Sequence, residues 1–109
     1  MGDEEGARIA RNEAVFRIVN EDIEDLASGA EVARFDIVCE CGSEGCVEMI
    51  SVTRAAYEAV RADPERFFVK HGHVFPEVEA VVETQEEYLI VDKRPGEPAR
   101  VAREMDPRS

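Results

Sequence analysis

Three cysteines crowd one short stretch of this chain, Cys39-Glu40-Cys41-Gly42-Ser43-Glu44-Gly45-Cys46, and two histidines, His71 and His73, stand well downstream of it. No other feature limits the fold so tightly, because donors of this kind can converge on one ion and pin two distant segments to a point. Zinc favours thiolate and imidazole ligands in a tetrahedron, and a Cys3His set fills that tetrahedron without water. Alternation along a strand puts Cys39 and Cys41 on the same side of its end. Gly42 and Gly45 allow the backbone to turn tightly enough to return Cys46 to that point. The fourth ligand is expected from the His71-Gly72-His73 loop, with His73 preferred and His71 as the substitute. The other ring nitrogen of the ligating histidine needs a partner to fix its tautomer, for which Glu77 or Glu79 is the candidate. Cys-x-Cys spacing is less diagnostic than a doubled Cys-x-x-Cys. The competing reading makes Cys39 a small core residue, Cys41 and Cys46 free loop thiols, and both histidines surface residues.

The chemistry such a centre could support is narrow. A catalytic zinc keeps an open position for water and a nearby base, whereas three thiolates and one imidazole fill the sphere and weaken the ion as a Lewis acid. Glu40, Glu44 and Glu48 flank the motif and are read as solvated charges. The sequence has no Gly-rich phosphate loop, nucleophile elbow or His-Glu-x-x-His motif. The leading expectation is a non-enzymatic interaction or regulatory module with structural zinc. Its rivals are a zinc–thiolate redox switch and, behind it, a cysteine-dependent enzyme using Cys41 or Cys46 with His71 or His73.

Charge narrows the partners. With 25 Asp and Glu against 13 Lys and Arg, the formal net charge is -12. That disfavours direct nucleic-acid binding, which needs clustered cations to displace counterions, and it disfavours anionic membrane surfaces. A protein partner, basic in character, suits it better. The acidic start Met1-Gly2-Asp3-Glu4-Glu5 and the lack of a long apolar run predict a cytoplasmic location. An odd number of cysteines in a reducing compartment is not a disulfide framework.

The periodicities predict an α+β domain over residues 7–104, between flexible ends at 1–6 and 105–109. From Ala7 to Leu26, apolar residues at Ile9, Phe16, Val19, Ile23 and Leu26 recur at helical spacing, widened by Val15 and Ile18. Glu13 and Arg17 stand four apart as a surface ion pair. Written as a heptad, Ile9, Phe16 and Ile23 share one seam position and Asn12, Val19 and Leu26 the other. That stripe either packs on the domain's own sheet or pairs the helix with a second copy or another partner. Segments 34–39 and 47–52 predict a hairpin with the cysteines at its tip. Thr53 caps a helix over 54–61 that buries Tyr57 and Val60, and Asp63-Pro64 opens a short turn leading to Phe67 and Phe68. Residues 69–76 predict a loop. Segments 78–83 and 88–93 predict a second hairpin, with Val78, Ala80, Val82, Leu89 and Val91 inward, and a weak helix follows near 98–104. The two hairpins, with a helix between them, are expected to share one antiparallel sheet.

The chain also resembles a family of small uncharacterised proteins of actinobacterial type. The resemblance lies in Arg11-Asn12-Glu13-Ala14-x-Phe16-Arg17-x-Val19-Asn20-Glu21-x-Ile23-Glu24, in Cys39-Glu40-Cys41-Gly42 with Cys46, in Tyr57-Glu58-Ala59-Val60-Arg61-Ala62-Asp63-Pro64 with Phe67, and in Gly72-His73. It covers most of residues 11–107. In that family the histidine follows a glycine, so the resemblance implies His73 as the ligand, and it implies no activity.

Overall fold

The computed structural model describes residues 2–30, 32–41, 43 and 45–108. Helix α1 (Gly2–Gly29) begins earlier than the predicted Ala7 and, at about 1.5 Å per residue, spans most of the 44 Å long axis of the molecule. Its apolar stripe divides. Ile9 is buried and Ile23 packs against the core, but Val15, Ile18, Val19 and Leu26 face outward. The inward face is instead small and polar, with Ala10, Ala14 and Ala27 buried beside Glu13, Arg17, Asn20 and Glu24. Glu13 and Arg17 are therefore not a surface pair. The Lys93 ammonium lies between the Glu13 and Glu79 carboxylates, with all three side chains fully buried. Arg17 donates to the carbonyl oxygens of Pro64 (2.5 Å) and Ala102 (2.7 Å). Both cations lie over the Phe67 ring, 4.3 Å from its centroid for Arg17 and 4.5 Å for Lys93. A buried charge is tolerable only with such partners.

Strands β1 (Arg34–Val38) and β2 (Met49–Thr53) form an antiparallel pair in which Phe35 faces Val52 and Ile37 faces Ile50. These four residues are buried and their neighbours along each strand are more exposed, as strand alternation requires. The cysteine loop closes this hairpin as expected, and the Cys39 N–H donates to the Glu48 carbonyl at 2.8 Å, continuing the ladder. Helix α2 (Arg54–Arg61) follows directly, its first turn capped by Thr53, whose hydroxyl oxygen accepts from the Ala56 N–H at 3.1 Å. Thr53→Ala is expected to lower stability by about 1 kcal/mol, or roughly 4 °C in Tm, as read by thermal unfolding. Tyr57 and Val60 turn inward. Phe35, Tyr57, Phe68 and Tyr88 form a chain of ring contacts with centroids 5.4–5.7 Å apart.

The second half corrects the sequence reading. The Asp63 carboxylate accepts from the Glu65 N–H as a turn-former should, but the chain then extends as β3 (Arg66–Val69). β4 (Glu79–Thr84) and β5 (Leu89–Lys93) form the expected hairpin, and β3 takes the other edge of β5, giving the order β3-β5-β4. The described residues therefore make two antiparallel sheets, because the edge of β5 is occupied by β3 and the first hairpin stays separate. The sheets are linked at Glu40, whose N–H donates to the Phe68 carbonyl at 2.8 Å and whose carboxylate accepts from the Phe68 N–H at 2.9 Å. Val82 does not face the core. The pairing passes from Val81↔Val91 to Glu83↔Ile90, so Val82 is the extra residue of a bulge and is exposed.

Helix α3 (Glu97–Glu104) packs on α1 through Val101 against Ala7 and Ala10. The fit is close where α1 passes Val78: a Cβ at Gly6 would stand 3.2 Å from Val78 Cγ1, which would have to give way slightly. The residues after α3 fold back onto the domain. Asp106 is buried and paired with Arg61 at 2.5 Å, and Arg108 reaches Glu21 (2.5 Å) and Glu58 (2.9 Å). Met1 and Ser109, parts of the predicted flexible ends, lie outside the described residues. No helix among the described residues is long and apolar enough to cross a membrane.

Candidate metal centre

Two short segments meet beside the Glu40 link. Cys39 and Cys41 lie just past the end of β1 and are buried. Glu40, between them, is not the solvated charge expected from its type: it is fully buried. Its carboxylate accepts from Asn20 Nδ2 at 2.8 Å as well as from Phe68. Asn20 in turn exchanges two hydrogen bonds with the Val38 backbone, at 2.7 and 2.8 Å. The segment carrying the first two thiols is thus held by α1 on one side and β3 on the other. Gly45, at φ +80, supplies the left-handed turn before Cys46. Gly42 and Glu44 lie outside the described residues. From the other direction, β3 ends at Val69, and the next backbone N–H, from Lys70, points at Cys39 Sγ at 3.3 Å. The His73 N–H then closes a turn onto the Lys70 carbonyl at 3.1 Å.

One donor atom from each of Cys39, Cys41, Cys46 and His73 falls in a cluster whose members all lie within 4.8 Å of one another. His73 Nδ1 is 3.6 Å from both Cys39 Sγ and Cys46 Sγ. A tetrahedral ion with bonds of about 2.3 Å to sulfur and about 2.0 Å to nitrogen sets its S···N separations near 3.6 Å and its S···S separations near 3.8 Å. The cluster could therefore hold one metal ion. His71 is not part of it: it is exposed, and its Nε2 lies 2.8 Å from the Gln85 carbonyl.

The partner of the second histidine nitrogen is a residue that sequence reasoning missed. His73 Nε2 lies 3.3 Å from the Glu48 carboxylate. Glu79 is committed elsewhere, to Lys93 and the Phe75 N–H, and Glu77 is exposed. The available signal was the spacing of Cys46 and Glu48, two residues apart in extended chain and so on one side. Orienting the ring from outside in this way normally strengthens a ligand. Glu48→Ala is expected to weaken metal binding about tenfold, measured by competition with a chromophoric chelator.

The thiols differ in their readiness to ionise. Burial pushes the Cys39 thiol well up, against the opposing hydrogen bond from Lys70. Burial also raises Cys46, and its proximity to Cys41 adds to the shift. Burial acts on Cys41 in the same sense, but hydrogen bonds from Ser43 and His73 outweigh it and bring that thiol down to about 7. A metal bound here near neutral pH would displace protons from Cys39 and Cys46.

No protein-family model, curated protein or solved structure matches this chain.

Proposed function

We propose that Cys39, Cys41, Cys46 and His73 bind one zinc ion in a structural role, and that the protein is a small acidic cytoplasmic module acting by interaction or regulation and not by catalysis. The observation that carries this is the convergence of three sulfurs and one imidazole nitrogen within 4.8 Å. Soft thiolates with an imidazole suit zinc better than calcium, magnesium or manganese. Four protein donors leave no position for a substrate or an activated water. The ion would join the β1–β2 loop to the segment after β3, beside the Glu40 link between the sheets. The formal charge of -12 supports a basic protein partner over nucleic acid.

Metal analysis with thiol counting tests the assignment. One zinc per chain, with no cysteine open to alkylation until the protein is denatured, is the expected result. Metal-free protein with three freely alkylated thiols overturns it.

A redox switch is the second reading, favoured by Cys46 being the least buried of the three thiols. Hydrogen peroxide would take two electrons from the Cys41 and Cys46 sulfurs. An S–S bond would form as the O–O bond breaks, with two protons taken up and two waters released, and both sulfurs would then be lost as ligands to any ion held there. Zinc release by stoichiometric peroxide, reversed by a dithiol, supports this reading over a purely structural ion.

A further inference from the structure

The outer face of α1 carries a pattern that the fold leaves exposed. Arg8, Arg11, Val15, Ile18, Asp22 and Asp25 are separated alternately by three and four residues, the spacing of a helix-pairing seam, and all six are exposed. This seam is one step round the helix from the Ile9–Phe16–Ile23 stripe, which the domain itself partly covers. Read along the helix it runs basic, basic, apolar, apolar, acidic, acidic. Turned end over end it matches itself: Val15 faces Ile18, Arg11 faces Asp22, and Arg8 faces Asp25. All three pairs are centred on the same point of the helix, midway between Val15 and Ile18, so one register satisfies all of them. A parallel pairing would set Arg11 against Arg11 and Asp22 against Asp22.

We propose that two copies of this chain associate through the outer faces of their α1 helices, antiparallel about a twofold axis between Val15 and Ile18. The occupant of this face is a second copy because charge complementarity is built into one sequence read in both directions, as an isologous contact requires. Val19 and Leu26, 41% and 76% exposed, flank the seam and add apolar area. From Arg8 to Asp25 the helix runs about 26 Å, which gives an interface at the small end of specific contacts. The dimer is accordingly weak and concentration-dependent. Arg8 is already engaged within its own chain, so Arg11 and Asp22 carry the register. The proposal goes beyond the interaction-module reading: the second copy is a contact additional to the basic partner proposed above.

Sedimentation equilibrium of the full, metal-loaded chain tests it, with metal content measured on the same samples. A monomer–dimer equilibrium is expected for the natural sequence. Val15→Glu should raise the dimer dissociation constant at least tenfold, with helicity and bound metal unchanged. Arg11→Asp and Asp22→Arg should each weaken the dimer about tenfold. Mixing those two variants should restore it. In the heterodimer the introduced aspartate of one chain faces the introduced arginine of the other, and the natural Asp22 of the first faces the natural Arg11 of the second. A natural chain that stays monomeric to millimolar concentration overturns the proposal, as does a dimer indifferent to Val15→Glu or a mixture that fails to recover. Metal-free dimers would sink the zinc assignment alone, and metal-loaded monomers the dimer alone.

Discussion

A strong chelator, by withdrawing the proposed zinc, is expected to lower the Tm of the folded protein by about 15 °C. An ion that binds only the native state, present at a thousandfold over its dissociation constant, stabilises that state by about 4 kcal/mol. For a chain of 109 residues each kcal/mol moves Tm by roughly 4 °C. The loss should be local at first. Residues 39–48 and 70–75 carry the proposed ligands, whereas β4, β5 and the α1–α3 contact lie outside the cluster and should keep their amide protection. Cys41→Ser should reproduce the effect without chelator, since it removes the ligand whose thiol ionises most readily. Hydrogen exchange with and without chelator, beside calorimetry, measures both parts. An unchanged Tm in strong chelator would show that the cluster holds no stabilising ion.

Lys93→Met should cost about 3–5 kcal/mol, the usual penalty for removing one partner of a buried ionic group, and so about 12–20 °C in Tm. The methionine fills a similar volume, but Glu13 and Glu79 are left facing each other without the cation between them. The loss should depend on pH in a definite direction. Burial already pushes the Glu13 carboxyl well above its ordinary value, and Glu79 adds to this while Lys93 opposes it. A carboxyl raised in the folded state binds a proton that the unfolded chain has lost. Its contribution is full below the unfolded pKa near 4.3 and is lost as pH rises through the folded value. Without Lys93 the folded value rises further, so the gap between variant and natural protein should widen from pH 5 to pH 8. Thermal unfolding at both pH values reads it, and an equal gap at the two would refute the assignment. Replacing Lys93, Glu13 and Glu79 together by apolar residues should restore most of the stability.

What the sequence disclosed and what it hid divide along physical lines. The clustering of Cys39, Cys41, Cys46 and His73 was legible because thiols are rare and their spacing is local, and a hairpin tip with two glycines is a short-range event. Both hairpins and the Thr53 cap were legible for the same reason. Strand β3 was not, because Phe67, Phe68 and Val69 are all buried and so show no alternation. The inner face of α1 misled most. Glu13, Arg17 and Asn20 look like surface residues, and only partners as distant as Lys93, Ala102 and Glu40 make their burial tolerable. Glu40 and Glu48 were indistinguishable by type in a chain this acidic; one became the link between sheets and the other the histidine's partner.

The long reach of those contacts governs how the chain must be put together. Arg17 meets Ala102 across 85 positions, Lys93 meets Glu13 across 80, and Arg108 meets Glu21 across 87. During synthesis α1 leaves the ribosome well ahead of these partners: Asn20 can meet Val38 and Glu40 early, but Glu13 has no cation to close against until Lys93 has been made. The thiol loop and its histidine, 27 positions apart, can meet much earlier. Nearby pairings close before distant ones, so the contacts of α1 with Lys93 and Ala102 are expected to form after those with Val38 and Glu40.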